Sequence, residues 1–258
     1  MSKRKRFVVT SVLLSLGFFV IQFIDIQTYK FIGMGVLCLL TLVLFIWSLR
    51  EGLGKNLTLL TLILPVSFTA SVGLFWFLLP ASWLLRIPVI LFFAAGTYAL
   101  SLTSNIFTVS AIRTIALLRA AKGVGFLLTL VVMFLIYDTI FSLRTGMLIT
   151  SSLVFLSSLI LFLQGFWTVI LTNYFSNKLV MISIITSLVV SESVISIYFW
   201  PVTVVVGSLF LTIVSYVLLG LGQAMLEGRL FRQTVREYLL VGTVVFIVMF
   251  LSTHWAGS

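Results

Sequence analysis

The chain has 258 residues, 61% of them hydrophobic and only 9% charged, with a mean hydropathy of +1.28 and a formal net charge of +10. A soluble domain typically carries about 25% charged residues to cover itself against water, so a soluble globular fold is excluded and an all-α integral membrane protein is expected. The 16 Lys and Arg against 6 Asp and Glu fall mostly between apolar runs, where topology and anionic lipid headgroups account for them and nucleic acid does not.

In hydrocarbon every backbone N–H and C=O must bond within the chain, so long apolar runs become helices. In chain order the runs are Phe7–Phe23, Phe31–Trp47, Leu57–Leu79, Trp83–Leu102, Gly123–Ile140, Met147–Leu171, Leu179–Phe199, Val202–Met225 and Tyr238–Trp255. At roughly 20 residues per span they predict a polytopic bundle of about nine transmembrane helices, or about eight if one junction is not a turn. They fill the length as a single transmembrane domain over residues 1–258. No soluble domain, linker, low-complexity tract or two-halves repeat is legible. Lys3-Arg4-Lys5-Arg6 before the first run looks like a secretory signal, but no small-x-small cleavage site follows, which predicts a retained signal anchor. The weakest junctions are at Pro80 and at Trp200-Pro201. Proline disfavours a helical residue before it, so both read as tight turns.

Orientation follows from the basic residues. With the N-terminus inside, Lys3, Arg4, Lys5, Arg6, Arg50, Lys55, Arg113, Arg119, Lys122, Lys178, Arg229, Arg232 and Arg236 are cytoplasmic, and Lys30, Arg86 and Arg144 are outside. Such a bias over short loops sets N-in, C-out topology, with His254 and Trp255 outside, in the cytoplasmic membrane of a prokaryote. Trp76, Trp83, Trp200 and Trp255 fall at outer ends and Trp47 and Trp167 near inner ends, as interfacial belts require.

Two inner segments are long. Leu226–Glu237 places Arg229, Arg232 and Arg236 on one helical face, which suits either a short helix lying on anionic headgroups or a solvated loop. Asn105–Lys122 has poor amphipathicity and reads better as extensions of its flanking helices than as an interfacial helix.

Ionisable groups at membrane depth are expensive, about 2.5–3.5 kcal/mol at mid-helix, and so are functional suspects. Glu192, between Ser191 and Ser193, must be paired, hydrated or protonated. Its run also carries Ser183, Ser187 and Ser191 at every fourth residue, with Thr186, Ser193 and Ser196 on other faces, which places that helix inside the bundle. The serines read first as close helix packing. Asp138, Asp25, Arg86 and Arg144 fall at a similar, outer depth. With Glu192 they either line one outward-facing polar pocket or stand separately at wet helix ends. Gln22, Gln164 and Gln223 are isolated amides that read as interhelical glue.

One histidine (His254) and one mid-span cysteine (Cys38) cannot make an ordinary zinc site, and no cofactor motif is present. The Gly-x-Ser-Gly nucleophile with a membrane histidine of rhomboid-like proteases, the Cys/Arg/His set of exosortase-like transpeptidases and the retinal lysine of rhodopsins are all missing. The expected function is a non-enzymatic one: a small transporter-like unit, or a subunit or scaffold that binds other membrane proteins within the bilayer. The alternative is an enzyme acting on a lipid-linked substrate at the outer leaflet. There Asp25, Asp138 and Glu192 supply acid and base, and Arg86 or Arg144 holds a phosphate.

Overall fold

The computed structural model describes residues 3–50, 58–80, 83–110, 117–171 and 176–252. Lys55, Arg113, His254 and Trp255, used above for orientation, lie outside the described residues.

Each apolar run forms a helix, as the demand for internal backbone bonding requires. The helices are α1 (Lys3–Ile21), α2 (Gln27–Leu49), α3 (Thr58–Trp76), α4 (Trp83–Ser110), α5 (Leu118–Ser142), α6 (Met147–Ile170), α7 (Asn177–Tyr198), α8 (Val204–Leu226) and α9 (Arg232–Ser252). Seven are long and apolar enough to cross a membrane. Of the other two, α1 opens on four consecutive basic residues, and α3 is an apolar helix of 19 residues.

Both proline junctions break the chain. After Trp76 a turn leads to Pro80, and α7 stops at Tyr198 before Pro201. Thr203 then starts α8, its Oγ1 accepting from the Val206 N–H at 3.4 Å. At the far end of α8, Gly228 adopts φ +70°. The Arg229 N–H reaches the Ala224 carbonyl at 2.8 Å and the Gly228 N–H reaches Met225 at 3.2 Å, the paired bonds of a Schellman stop.

That stop corrects the reading of Leu226–Glu237. The segment is not one interfacial helix. It is split between a glycine-closed turn and α9, which starts at Arg232, so Arg232 and Arg236 ride on the first two turns of α9 itself. The other long segment behaves as expected in its described part: α4 runs on to Ser110 and α5 starts at Leu118.

The chain divides into two compact units, residues 1–128 with 171–173, and residues 129–170 with 174–258. The core of the first is a ladder of rings from three helices. Phe18 of α1 meets Phe93 of α4 at 4.8 Å between centroids, and Phe93 stacks on Phe68 of α3 at 5.8 Å. Hydroxyls lock the same helices: Ser11 donates to the Ala94 carbonyl at 2.7 Å and contacts Thr97 at 3.1 Å, while Thr41 and Thr69 join α2 to α3 at 3.1 Å. Arg6, the last of the four basic residues read from sequence as the start of a signal anchor, is buried within the first turns of α1.

In the second unit α6 and α7 pack most closely. Ser183 and Ser187 are fully buried, and Ser191 Oγ meets Ser151 Oγ at 2.6 Å. The serine stripe is thus a packing seam, small side chains letting two backbones approach. Gly165 is a second close approach: a Cβ there would lie 2.7 Å from Leu219. The helix α9 packs along α8, with Tyr238 against Gly220 and Phe246 against Phe210.

The placement of α7 differs from expectation. Its serine face is buried, but Met181, Ile184, Ile185, Leu188, Val189 and Ile195 are exposed, and Glu192 is exposed among them. Polar residues off the seam did not need burial, because hydroxyls bond their own helix: Ser193 donates to the Val189 carbonyl at 2.8 Å.

Candidate functional site

A buried polar cluster of the second unit lies around the second half of α5. Tyr137, fully buried, places its hydroxyl 2.8 Å from Ser158 of α6 and 3.0 Å from Ser215 of α8. The next residue, Asp138, is 5% exposed, and Ser208 of α8 donates to its Oδ1 at 3.1 Å. Ser208, Thr212 and Ser215 lie at i, i+4 and i+7, so α8 offers α5 one continuous polar face. Sequence reading missed this stripe, although its periodicity is as legible as that of Ser183, Ser187 and Ser191.

One turn beyond Asp138, an open hollow of about 240 Å³ begins at Phe141 and Gly207 and is lined also by Arg144, Tyr198, Trp200 and Thr203. Arg144 is exposed and sits just past the end of α5 with φ 48°, a left-handed conformation that costs a side-chain-bearing residue about 1–2 kcal/mol. Leu171, just past the end of α6, takes the same conformation with φ 51°, a common way for a helix to stop. Arg144→Gly is expected to raise thermal stability by about 1 kcal/mol. A lower melting temperature would mean that the arginine makes contacts worth more than its strain.

Of the five residues proposed from sequence to share a pocket, Asp138, Arg144 and Glu192 belong to the second unit, and Asp25 and Arg86 to the first. Asp138 is buried on Ser208, Arg144 borders the hollow, and Glu192 opens outward. Asp25 is exposed in the turn between α1 and α2. The Arg86 guanidinium lies over the Phe23 and Trp83 rings, 4.7 and 4.8 Å from their centroids, a cation–π pair that accommodates a cation without an acid. Arg229 pairs with Glu227, while Arg232 and Arg236 are exposed at the start of α9.

The three amides separate. Gln164 accepts from Thr129 at 3.4 Å, and Gln223 donates to the Gly165 carbonyl at 3.0 Å, so both tie helices together. Gln22 is 6% exposed, and among the described residues neither polar side-chain atom has a hydrogen-bond partner. Among the described residues no three of His, Cys, Asp and Glu come together in a geometry for a metal ion.

Apolar helices of spanning length with hydroxyl seams between them define a helical membrane protein. The chain belongs to the family described as "Protein of unknown function (DUF5656)", whose model matches residues 10–252. No curated protein and no solved structure is significantly similar to it.

Proposed function

We propose that this chain is a non-enzymatic subunit of a membrane assembly, and that the exposed face of α7 is where its partner binds. The observation that carries this reading is Glu192. It stands on an exposed stripe with Leu188 and Ile195, about 9 Å from the end of α7 at a rise of about 1.5 Å per residue. A carboxylate facing lipid at that depth is expensive, and a partner helix offering a Lys, Arg or amide at the same depth removes the cost. The hydroxyl seams support the same reading, because they commit buried polar groups to holding helices together. A transport path through Glu192 draws no support from an outward-facing side chain.

In this proposal the N-terminus is cytoplasmic, as the bias of basic residues favours, the membrane is a prokaryotic plasma membrane, and Arg229, Arg232 and Arg236 rest on anionic headgroups. A photo-crosslinker at Leu188 in native membranes is expected to capture a membrane protein. Glu192→Leu is expected to reduce that capture at least tenfold while shifting the stability of the purified chain by less than about 0.5 kcal/mol. Capture of lipid alone, or protein capture indifferent to Glu192, would sink the proposal.

The hollow beside Arg144 favours a second reading, an enzyme whose lipid-linked substrate enters there with Asp138 beneath it. That reading requires Arg144→Gln to abolish the cellular phenotype even when the Leu188 crosslink is intact.

A further inference from the structure

The first unit contains a polar hollow that the α7 reading neither uses nor requires. α1 ends at Ile21, and its last turn closes with the Gln22 N–H on the carbonyls of Phe18 and Phe19 at 3.3 and 3.2 Å. Gln22 borders a space of about 70 Å³ together with Gln27 and Lys30 of α2, Trp76 of α3 and Phe77 just beyond it. The Gln22 Nε2 and Oε1 are both buried, and among the described residues neither has a hydrogen-bond partner. Among the described residues the other buried amide, Gln164, is bonded, as is the half-buried Gln223, so Gln22 is the exception.

Two further features face the same space. Lys30 is half-buried and forms no ion pair among the described residues. The first turn of α2 is uncapped, because Ile26 at the N-cap position has no side chain that can accept from it. An uncapped helix start carries partial positive charge and free N–H groups, which draw an anion. The lone acid nearby, Asp25, is exposed and does not border the space.

We propose that this hollow is a binding site for an anionic oxygen carried next to a hydroxyl, the pair displayed by glycerol phosphate. Lys30 and the start of α2 take the charge. The Gln22 Nε2 donates to the anion, and its Oε1 accepts from the hydroxyl, so both orphaned atoms are satisfied together. An anion without a hydroxyl satisfies only the donor. A space of this size admits a few waters or one compact polar group. Glycerol phosphate reaches the site either as the headgroup of phosphatidylglycerol or as a free solute.

The test uses the full chain purified in neutral detergent, with thermal shift as one readout and lipid retention by native mass spectrometry as the other. The probes are dioleoylphosphatidylglycerol, dioleoylphosphatidylcholine and free glycerol 3-phosphate. Phosphatidylglycerol is expected to be retained in preference to phosphatidylcholine, and Gln22→Leu and Lys30→Met are each expected to weaken it at least tenfold. Gln22→Leu is expected to leave the melting temperature in lipid-free detergent unchanged or raised, because it removes the orphaned atoms at similar volume. If free glycerol 3-phosphate gives the same Gln22-dependent shift and the lipid does not, the site takes the solute. Equal retention of both lipids, equal binding by wild type and Lys30→Met, or a response to neither probe would overturn the proposal and leave a water-filled hollow. Lys30→Met keeps the test decisive even if Gln22→Leu does not fold.

Discussion

Gly96→Val is expected to cost about 1–3 kcal/mol, the range for overpacking a closed core, and to lower the melting temperature of the purified chain by several degrees. A Cβ at Gly96 on α4 would collide with the Cζ edge of the Phe68 ring of α3. Phe68 is fully buried and cannot retreat, since Phe93 is stacked on it and Phe18 stands behind Phe93. One added side chain therefore pushes on three helices at once. Gly35→Val in α2 is the control, because a Cβ there has no heavy atom within 4 Å. Thermal unfolding of both variants in one detergent checks the argument. Equal melting temperatures would show that the aromatic ladder is looser than its geometry implies.

Tyr137→Ala is expected to be worse still, costing about 3–5 kcal/mol as large-to-alanine changes at fully buried aromatic positions do. The reason is volume: the ring is fully buried among α5, α6 and α8. Tyr137→Phe separates the ring from its hydroxyl. Interhelical hydrogen bonds in membranes average about 0.6 kcal/mol and reach about 1.7, so the phenylalanine variant is expected to lose no more than that. Ser158 and Ser215 retain an alternative acceptor in their own helix carbonyls. Chemical unfolding of both variants decides the matter. A phenylalanine variant as damaged as the alanine one would mean that the hydroxyl network, and not packing, organises this unit.

Hydropathy made the helices legible, because the demand for internal backbone bonding leaves a long apolar run no other structure. It located their ends less well. α9 begins six residues before its apolar run, at Arg232 against Tyr238, because charge sets where lipid ends and not where helix ends. The serine seam of α7 was legible from spacing alone, and the interior position inferred for that helix was not sound, since a hydroxyl satisfied by its own helix carries little information about burial. The partners of Asp138 and Tyr137 were out of reach for a different reason. Ser208 and Ser215 are 70 and 78 residues away along the chain, and only the register between α5 and α8 brings them together. Gln22 looked like Gln164 and Gln223 in sequence. What sets it apart is a pair of missing hydrogen bonds, which no spacing rule reports.

The last helix carries a consequence for how the protein meets its surroundings. α9 lies along α8, and only 6% of its apolar window is buried. At 21 residues its length is about 32 Å, close to the roughly 30 Å of a bilayer's hydrocarbon. Its inclination is thus governed by acyl-chain thickness as much as by protein. A change of lipid length or order alters the tilt of α9 at little energetic cost, while the ring ladder and the serine seam are indifferent to it. What joins α9 to α8 is a row of contacts that includes Tyr238 on Gly220 and Phe246 on Phe210.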